Sequence, residues 1–74
     1  MIESIKQIIN QILKNTSREE LVSIRPDLHL QDDIGFDSLD LAELTVHIES
    51  KYGIDIFEDE IIHTVDEILK KLKN

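Results

Sequence analysis

Apolar residues recur at helical spacing in three separate stretches of this chain, and they set its architecture. Ile2, Ile5, Ile8, Ile9, Ile12 and Leu13 form one stripe, with Lys6, Gln7, Asn10, Gln11 and Lys14 between them. This pattern predicts a first amphipathic helix. Leu41, Leu44, Ile48 and Tyr52, with Thr45 beside them, predict a helix over 38–52 that stops at Gly53. Val65, Ile68, Leu69 and Leu72 predict a closing helix, opened by a capping box in Thr64-Val65-Asp66-Glu67. The lysines at its far end, Lys70, Lys71 and Lys73, complement its dipole.

The connections are less regular. Asn15 is placed to close the first helix, and Ser17 with Glu20 offers a capping box for a short helical turn through Leu21 and Val22, which Pro26 stops. Over 23–36 there is no sustained period, only Ile24, Leu28, Leu30, Ile34 and Phe36 at intervals. We read this as a long ordered loop pinned to the core by those side chains. Gly35 fits a tight bend just before the second helix. Ile54-Asp55-Ile56 reads as a short extended link, and 57–62 as a short helix of one or two turns. The expected fold is therefore all-α: a small four-helix bundle with three main helices, one short third helix and a long loop before the second helix.

With 74 residues, 1–74 is expected to be one domain with one small core. The absence of cysteine removes disulfides, thiolate metal sites and a thiol nucleophile, so the core must hold the fold by itself. No stretch approaches the roughly 20 apolar residues that span a bilayer, so a cytoplasmic protein with no membrane span is expected. The net charge is −8, and between Asp27 and Glu67 Lys51 is the only lysine or arginine. Nucleic acid is a poor partner for such a chain, and basic protein patches are better ones. A solvated surface that keeps the protein in solution explains the same charge.

Gly35-Phe36-Asp37-Ser38-Leu39-Asp40 is the stretch with chemical content. Asp37 reads as an N-cap, which puts Ser38 and Leu39 at the first two helical positions and Asp40 at the third, where its carboxylate reaches back to the cap. The Ser38 hydroxyl then lies among exposed amides at the positive end of a helix, a favourable place for a phosphate diester. Asp-Ser is also common at helix starts, where it is only a cap. A serine hydrolase elbow would need glycines where Phe36 and Asp40 stand. His29, His47 and His63 lack metal-ligand spacing, and a calcium loop begun at Asp33 would put Leu44 where a glutamate is needed. No catalytic residue and no dedicated metal site is expected, and catalysis by this chain alone is not anticipated.

The order of these landmarks resembles the acyl carrier protein family over nearly the whole chain. The resemblance runs from Gly35-Phe36-Asp37-Ser38-Leu39-Asp40 through Leu41-Ala42-Glu43-Leu44, Glu49 and Tyr52-Gly53-Ile54-Asp55-Ile56 to Thr64-Val65. It departs from the family at Phe57, where proline is frequent, and at Ser50, where an acid is common. The resemblance implies that Ser38 receives 4′-phosphopantetheine from coenzyme A by a magnesium-using phosphopantetheinyl transferase. That arm would bring the thiol this chain lacks. Asp37 would cap and orient the site, and Leu39 would be read by the transferase. Asp40, Glu43 and Glu49 would meet basic patches on acyl-handling enzymes, with Ala42 and Val46 as apolar contacts between them.

From the residues alone, Leu39, Ala42 and Val46 suit either a contact face or ordinary peripheral packing. A core rich in Ile and Leu, with no Trp, leaves open whether an acyl chain finds room between helices. Three functional readings follow. The first is a monomeric acyl carrier of type II fatty acid biosynthesis. The second is a specialised carrier for a polyketide, modified-lipid or aminoacyl/peptidyl pathway. The third is an acidic interaction module that is never modified.

Overall fold

In the computed structural model, which describes residues 1–58 and 60–73, three helices account for the regular structure. They are α1 (Ile2–Asn15), α2 (Ser38–Tyr52) and α3 (Val65–Lys73). The three apolar stripes become one core: Ile5, Ile9, Ile12 and Leu13 from α1, Leu44 and Ile48 from α2, and Val65, Ile68 and Leu72 from α3. A side chain of this kind, fully removed from water, contributes about 1.5–3 kcal/mol relative to an exposed one.

The three-helix count corrects the four-helix expectation. Residues 56–58 and 60 form turns and bends, 61 and 62 are irregular, and position 59 of the expected short helix lies outside the described residues. Ile56 and Ile62 are both buried, so this segment is fastened at its two ends. Asp55 Oδ1 accepts the Phe57 N–H at 3.0 Å, a local side-chain turn that competes with helical bonding. So short a stretch does not repay the cost of helix nucleation.

A second correction concerns 17–22, where the expected helical turn is absent. Ser17 has φ +59° and sits just past the end of α1. The Ser17 N–H donates to Lys14 O at 3.1 Å and the Arg18 N–H to Leu13 O at 2.8 Å. These are the two bonds of a Schellman ending, with serine in the left-handed position that glycine normally takes. A residue held there cannot also serve as the extended N-cap of another helix. The ending turns the chain back on itself and sends Arg18 toward α2.

The long loop is ordered by side chains and backbone together. Leu28, Leu30 and Phe36 are buried, and Ile24 and Ile34 pack partly buried against the core. Asn10 of α1 pairs with both backbone groups of Leu21, at 2.7 and 3.0 Å. Farther on, the loop is joined to the start of α3. The Leu30 N–H donates to His63 O, the Val65 N–H to Leu28 O and the Asp66 N–H to Pro26 O, at 2.8, 3.1 and 2.7 Å. The Thr64–Glu67 capping box forms as expected, with Glu67 Oε1 accepting the Thr64 N–H at 3.1 Å and Thr64 Oγ1 accepting the Glu67 N–H at 3.3 Å.

Candidate functional site

The site is built on the first turn of α2. Gly35 takes φ +86°, a backbone state that side chains disfavour, and turns the chain into the cap. Asp37 is extended, and its Oδ1 accepts the Asp40 N–H at 2.9 Å while Asp40 Oδ2 accepts the Asp37 N–H at 3.0 Å. The expected capping box is therefore present, with Ser38 at the first helical position and exposed. The helix ends as expected at Gly53, in the left-handed conformation at φ +72°.

Asp40 departs from the expected partner-facing role. Its residue is only 6 % exposed, and it lies on the inward stripe with Leu44 and Ile48. Spacing of four residues places all three on one side of the helix. Arg18 Nη2 donates to Asp40 Oδ1 at 2.7 Å, so both carboxylate oxygens are occupied within the fold. Burial by itself would raise the Asp40 pKa. The Asp37 N–H and then the Arg18 guanidinium outweigh it and hold the carboxyl below its ordinary value.

Arg18 is the site residue that sequence reasoning missed, because its two partners around the serine turn lie 17 and 22 residues away. Besides Asp40, its Nη1 donates to Gly35 O at 3.2 Å and its Nε to Thr16 Oγ1 at 2.9 Å. The guanidinium carbon stands 5.6 Å from the centre of the buried Phe36 ring. Thr16 in turn donates its hydroxyl to the Ile12 and Leu13 carbonyls, so the arginine is moored to the end of α1. No signal local to residue 18 announces these contacts. The one available clue was that Asp40 shares the spacing of Leu44 and Ile48.

The remaining expected contact residues do gather on one exposed face of α2. Leu39 is 76 % and Val46 66 % exposed, and Ala42, Glu43 and Glu49 are exposed with them. Leu39, Ala42 and Val46 make an apolar strip, with Glu43 and Glu49 as its charged companions. Beside this strip a groove of about 470 Å³ is lined by Ser38, Leu41, Ala42, Thr45, Asp55, Phe57 and Ile61. Space adjoining the serine thus lies between α2 and Asp55, Phe57 and Ile61. The residues present fit a phosphodiester-linked arm: an exposed hydroxyl at a helix start, with a mainly apolar groove opening beside it.

Of the three histidines, two meet. His29 and His63 stack with ring centres 5.6 Å apart, across the isolated bridge that pairs His29 with Thr64. His29 Nδ1 accepts the Gln31 and Asp32 N–H groups at 3.2 and 3.0 Å, which gives this ring a structural task. Among the described residues, no group of three or more His, Cys, Asp or Glu side chains is arranged to hold a metal ion. Among them, too, no helix is long and apolar enough to cross a membrane.

Comparison with known proteins matches this geometry. A family model described as a phosphopantetheine attachment site covers residues 3–72. Acyl carrier proteins of Rickettsia typhi and Rickettsia prowazekii are each 34 % identical over 70 residues, spanning 92 % of this chain and 80 % of theirs. The acyl carrier protein of Rickettsia bellii is 29 % identical over 59 residues, spanning 80 % of this chain and 73 % of its own. The chain belongs to the acyl carrier protein family. It is a carrier and not an enzyme, and its prosthetic group is a covalently attached phosphopantetheine.

Proposed function

We propose that residues 1–74 form a single carrier domain that holds acyl intermediates as thioesters on a 4′-phosphopantetheine arm attached to Ser38, in type II fatty acid biosynthesis. The observation that carries this reading is the exposed Ser38 hydroxyl on the first turn of α2, at the mouth of the groove. The arm supplies the terminal thiol that a cysteine-free chain cannot. In its attachment, Ser38 Oγ bonds to the phosphorus next to the pantetheine of coenzyme A. The bond from that phosphorus to the leaving 3′,5′-ADP breaks, and the serine proton passes to the solvent through the transferase.

The chain's own residues hold and present the hydroxyl. Asp37 fixes the start of the helix, and the free amides of the first turn face the incoming phosphate. Leu39 is a contact for the phosphopantetheinyl transferase. Glu43 and Glu49 steer basic patches of acyl-handling enzymes onto the Ala42 and Val46 strip, and weak, charge-steered contacts allow the carrier to leave each enzyme for the next. This reading includes a monomer that works in the cytoplasm.

Intact mass, before and after incubation with coenzyme A, magnesium and a broad-specificity phosphopantetheinyl transferase, tests the attachment. The expected result is a gain of one phosphopantetheine group, located on Ser38 by fragmentation and absent from Ser38→Ala, which keeps its helicity. No gain in a folded, initially unmodified protein, or a gain at another residue, would overturn it. Malonyl loading and elongation by purified fatty acid enzymes then test the pathway. A loaded arm that those enzymes do not extend would point to a dedicated carrier of another pathway.

A further inference from the structure

We infer that Arg18 is a positioning residue for arm attachment, holding the Ser38 hydroxyl in place by binding the chain on both sides of it. The inference rests on the reading of Ser38 as the attachment residue. On the upstream side Arg18 Nη1 binds Gly35 O at 3.2 Å, at the bend where φ is +86°. On the downstream side Nη2 binds Asp40 Oδ1 at 2.7 Å, and the other oxygen of that carboxylate binds the Asp37 N–H. Only Phe36, Asp37, Ser38 and Leu39 lie between the two fastened points. Phe36 is itself fixed, being 3 % exposed beneath the guanidinium.

The arginine does not float with the segment it holds. Its Nε is bound to Thr16 Oγ1, and through that hydroxyl to the last carbonyls of α1. A planar guanidinium with several donors at fixed angles is suited to hold three acceptors at once, and a lysine ammonium on its flexible stem is not. Charge adds to the effect. A phosphodiester arrives at a turn that already carries Asp37 and Asp40, and Arg18 offsets the second of these. Attack on phosphorus depends on placement of the serine oxygen, and a shift of about 1 Å can cost on the order of 100-fold in rate.

The test combines two measurements on wild type, Arg18→Gln, Arg18→Lys, Asp40→Asn and the Arg18→Gln/Asp40→Asn double variant. One is steady-state arm attachment by a phosphopantetheinyl transferase with coenzyme A and magnesium, resolved into kcat and the KM for the carrier. The other is amide hydrogen exchange of the unmodified proteins, at a temperature where circular dichroism shows them folded. For Arg18→Gln, kcat should fall about tenfold with KM within about twofold, and Arg18→Lys should fall between it and wild type. The double variant should be no slower than Arg18→Gln alone, since both changes break one contact. Exchange should quicken at Asp37 and Asp40, whose amides are bonded within the cap, while α1 and α3 keep their protection.

A wild-type kcat in Arg18→Gln, a loss confined to KM, or faster exchange across all three helices would overturn the inference. If Arg18→Gln does not fold, Arg18→Lys carries the test, and a wild-type kcat there is equally fatal. Should wild type take the arm elsewhere or not at all, the attachment reading fails instead. The exchange rates at Asp37 and Asp40 then still report whether Arg18 orders the turn.

Discussion

Arg18 and Asp40, separated by 22 residues, meet at 2.7 Å and turn the acid at the third position of α2 from a surface charge into a buried part of the cap. Removing the arginine strands that carboxylate. Arg18→Ala is therefore expected to cost about 2–3 kcal/mol, less than breaking a fully buried pair because Arg18 is partly exposed. Asp40→Asn should cost less, about 1–2 kcal/mol, and the double variant less than the sum of the two. Urea denaturation at neutral pH measures all three, and strict additivity would show that the pair is not coupled.

Acid should weaken the fold through two carboxyls. Asp40 is buried, which opposes its charge, yet the Asp37 N–H and Arg18 bring its pKa below the ordinary value. Burial likewise opposes the charge of Glu67, and the His63 N–H, the Thr64 hydroxyl and the Thr64 N–H bring it down. In the unfolded chain both bind protons more readily, so their stabilisation is complete above the ordinary carboxylate range. It drains away as pH falls through the lower folded values, from about pH 5 downward. Urea midpoints between neutral pH and about pH 3 should decline along this course, and less steeply in Asp40→Asn. An identical slope in that variant would remove Asp40 from the account.

Serine in a left-handed helix ending is a local expense. Ser17→Gly should stabilise the protein by about 0.5–1 kcal/mol, since glycine adopts positive φ without a side-chain clash. A thermal or urea unfolding curve reads the change. A loss of stability would mean that the serine contributes more than its backbone geometry indicates.

The two sides of α2 should respond differently to truncation. Leu44 is fully buried, and Leu44→Ala is expected to cost about 2–4 kcal/mol through the cavity it leaves. Leu39→Ala, on the exposed face, should stay within about 0.5 kcal/mol of wild type. Its effect should appear in the rate of arm attachment instead. Unfolding curves and the attachment assay together separate the two outcomes.

Reversing charge on the same face should act on association. Replacing Glu43 and Glu49 by lysine is expected to weaken binding to the transferase and to an acyl-handling enzyme, and to flatten the salt dependence of binding. Titrations across a range of ionic strengths measure both. Unchanged affinity would reduce these acids to a solubility device.

What was legible in the sequence is what is decided locally. The three stripes, the Asp37 cap, the Gly53 ending and the Thr64–Glu67 box each depend on residues within a few positions of one another, and all formed as read. Asp40 was misread because a charged residue at a helix start is ordinarily solvated, and its partner is set by tertiary structure. Ser17 was misread because two local motifs competed for it, and the ending of α1 prevailed over the start of a new turn. The segment after Asp55 has helical residues but too few of them, and an aspartate turn at its head. Arg18 had no local signature at all.

The bonds between the long loop and the head of α3 give the far end of the chain a say in the near end of α2. Cutting the protein before Val65 would remove the partners of Leu28 and Pro26 along with the buried Val65, Ile68 and Leu72. Leu30, whose carbonyl receives the Phe36 N–H at 3.0 Å, would lose its core neighbours, and Phe36 is the floor beneath Arg18. The last helix thus props the serine turn from behind, through the loop, and a fragment lacking it would keep every residue of that turn but lose the means to hold it.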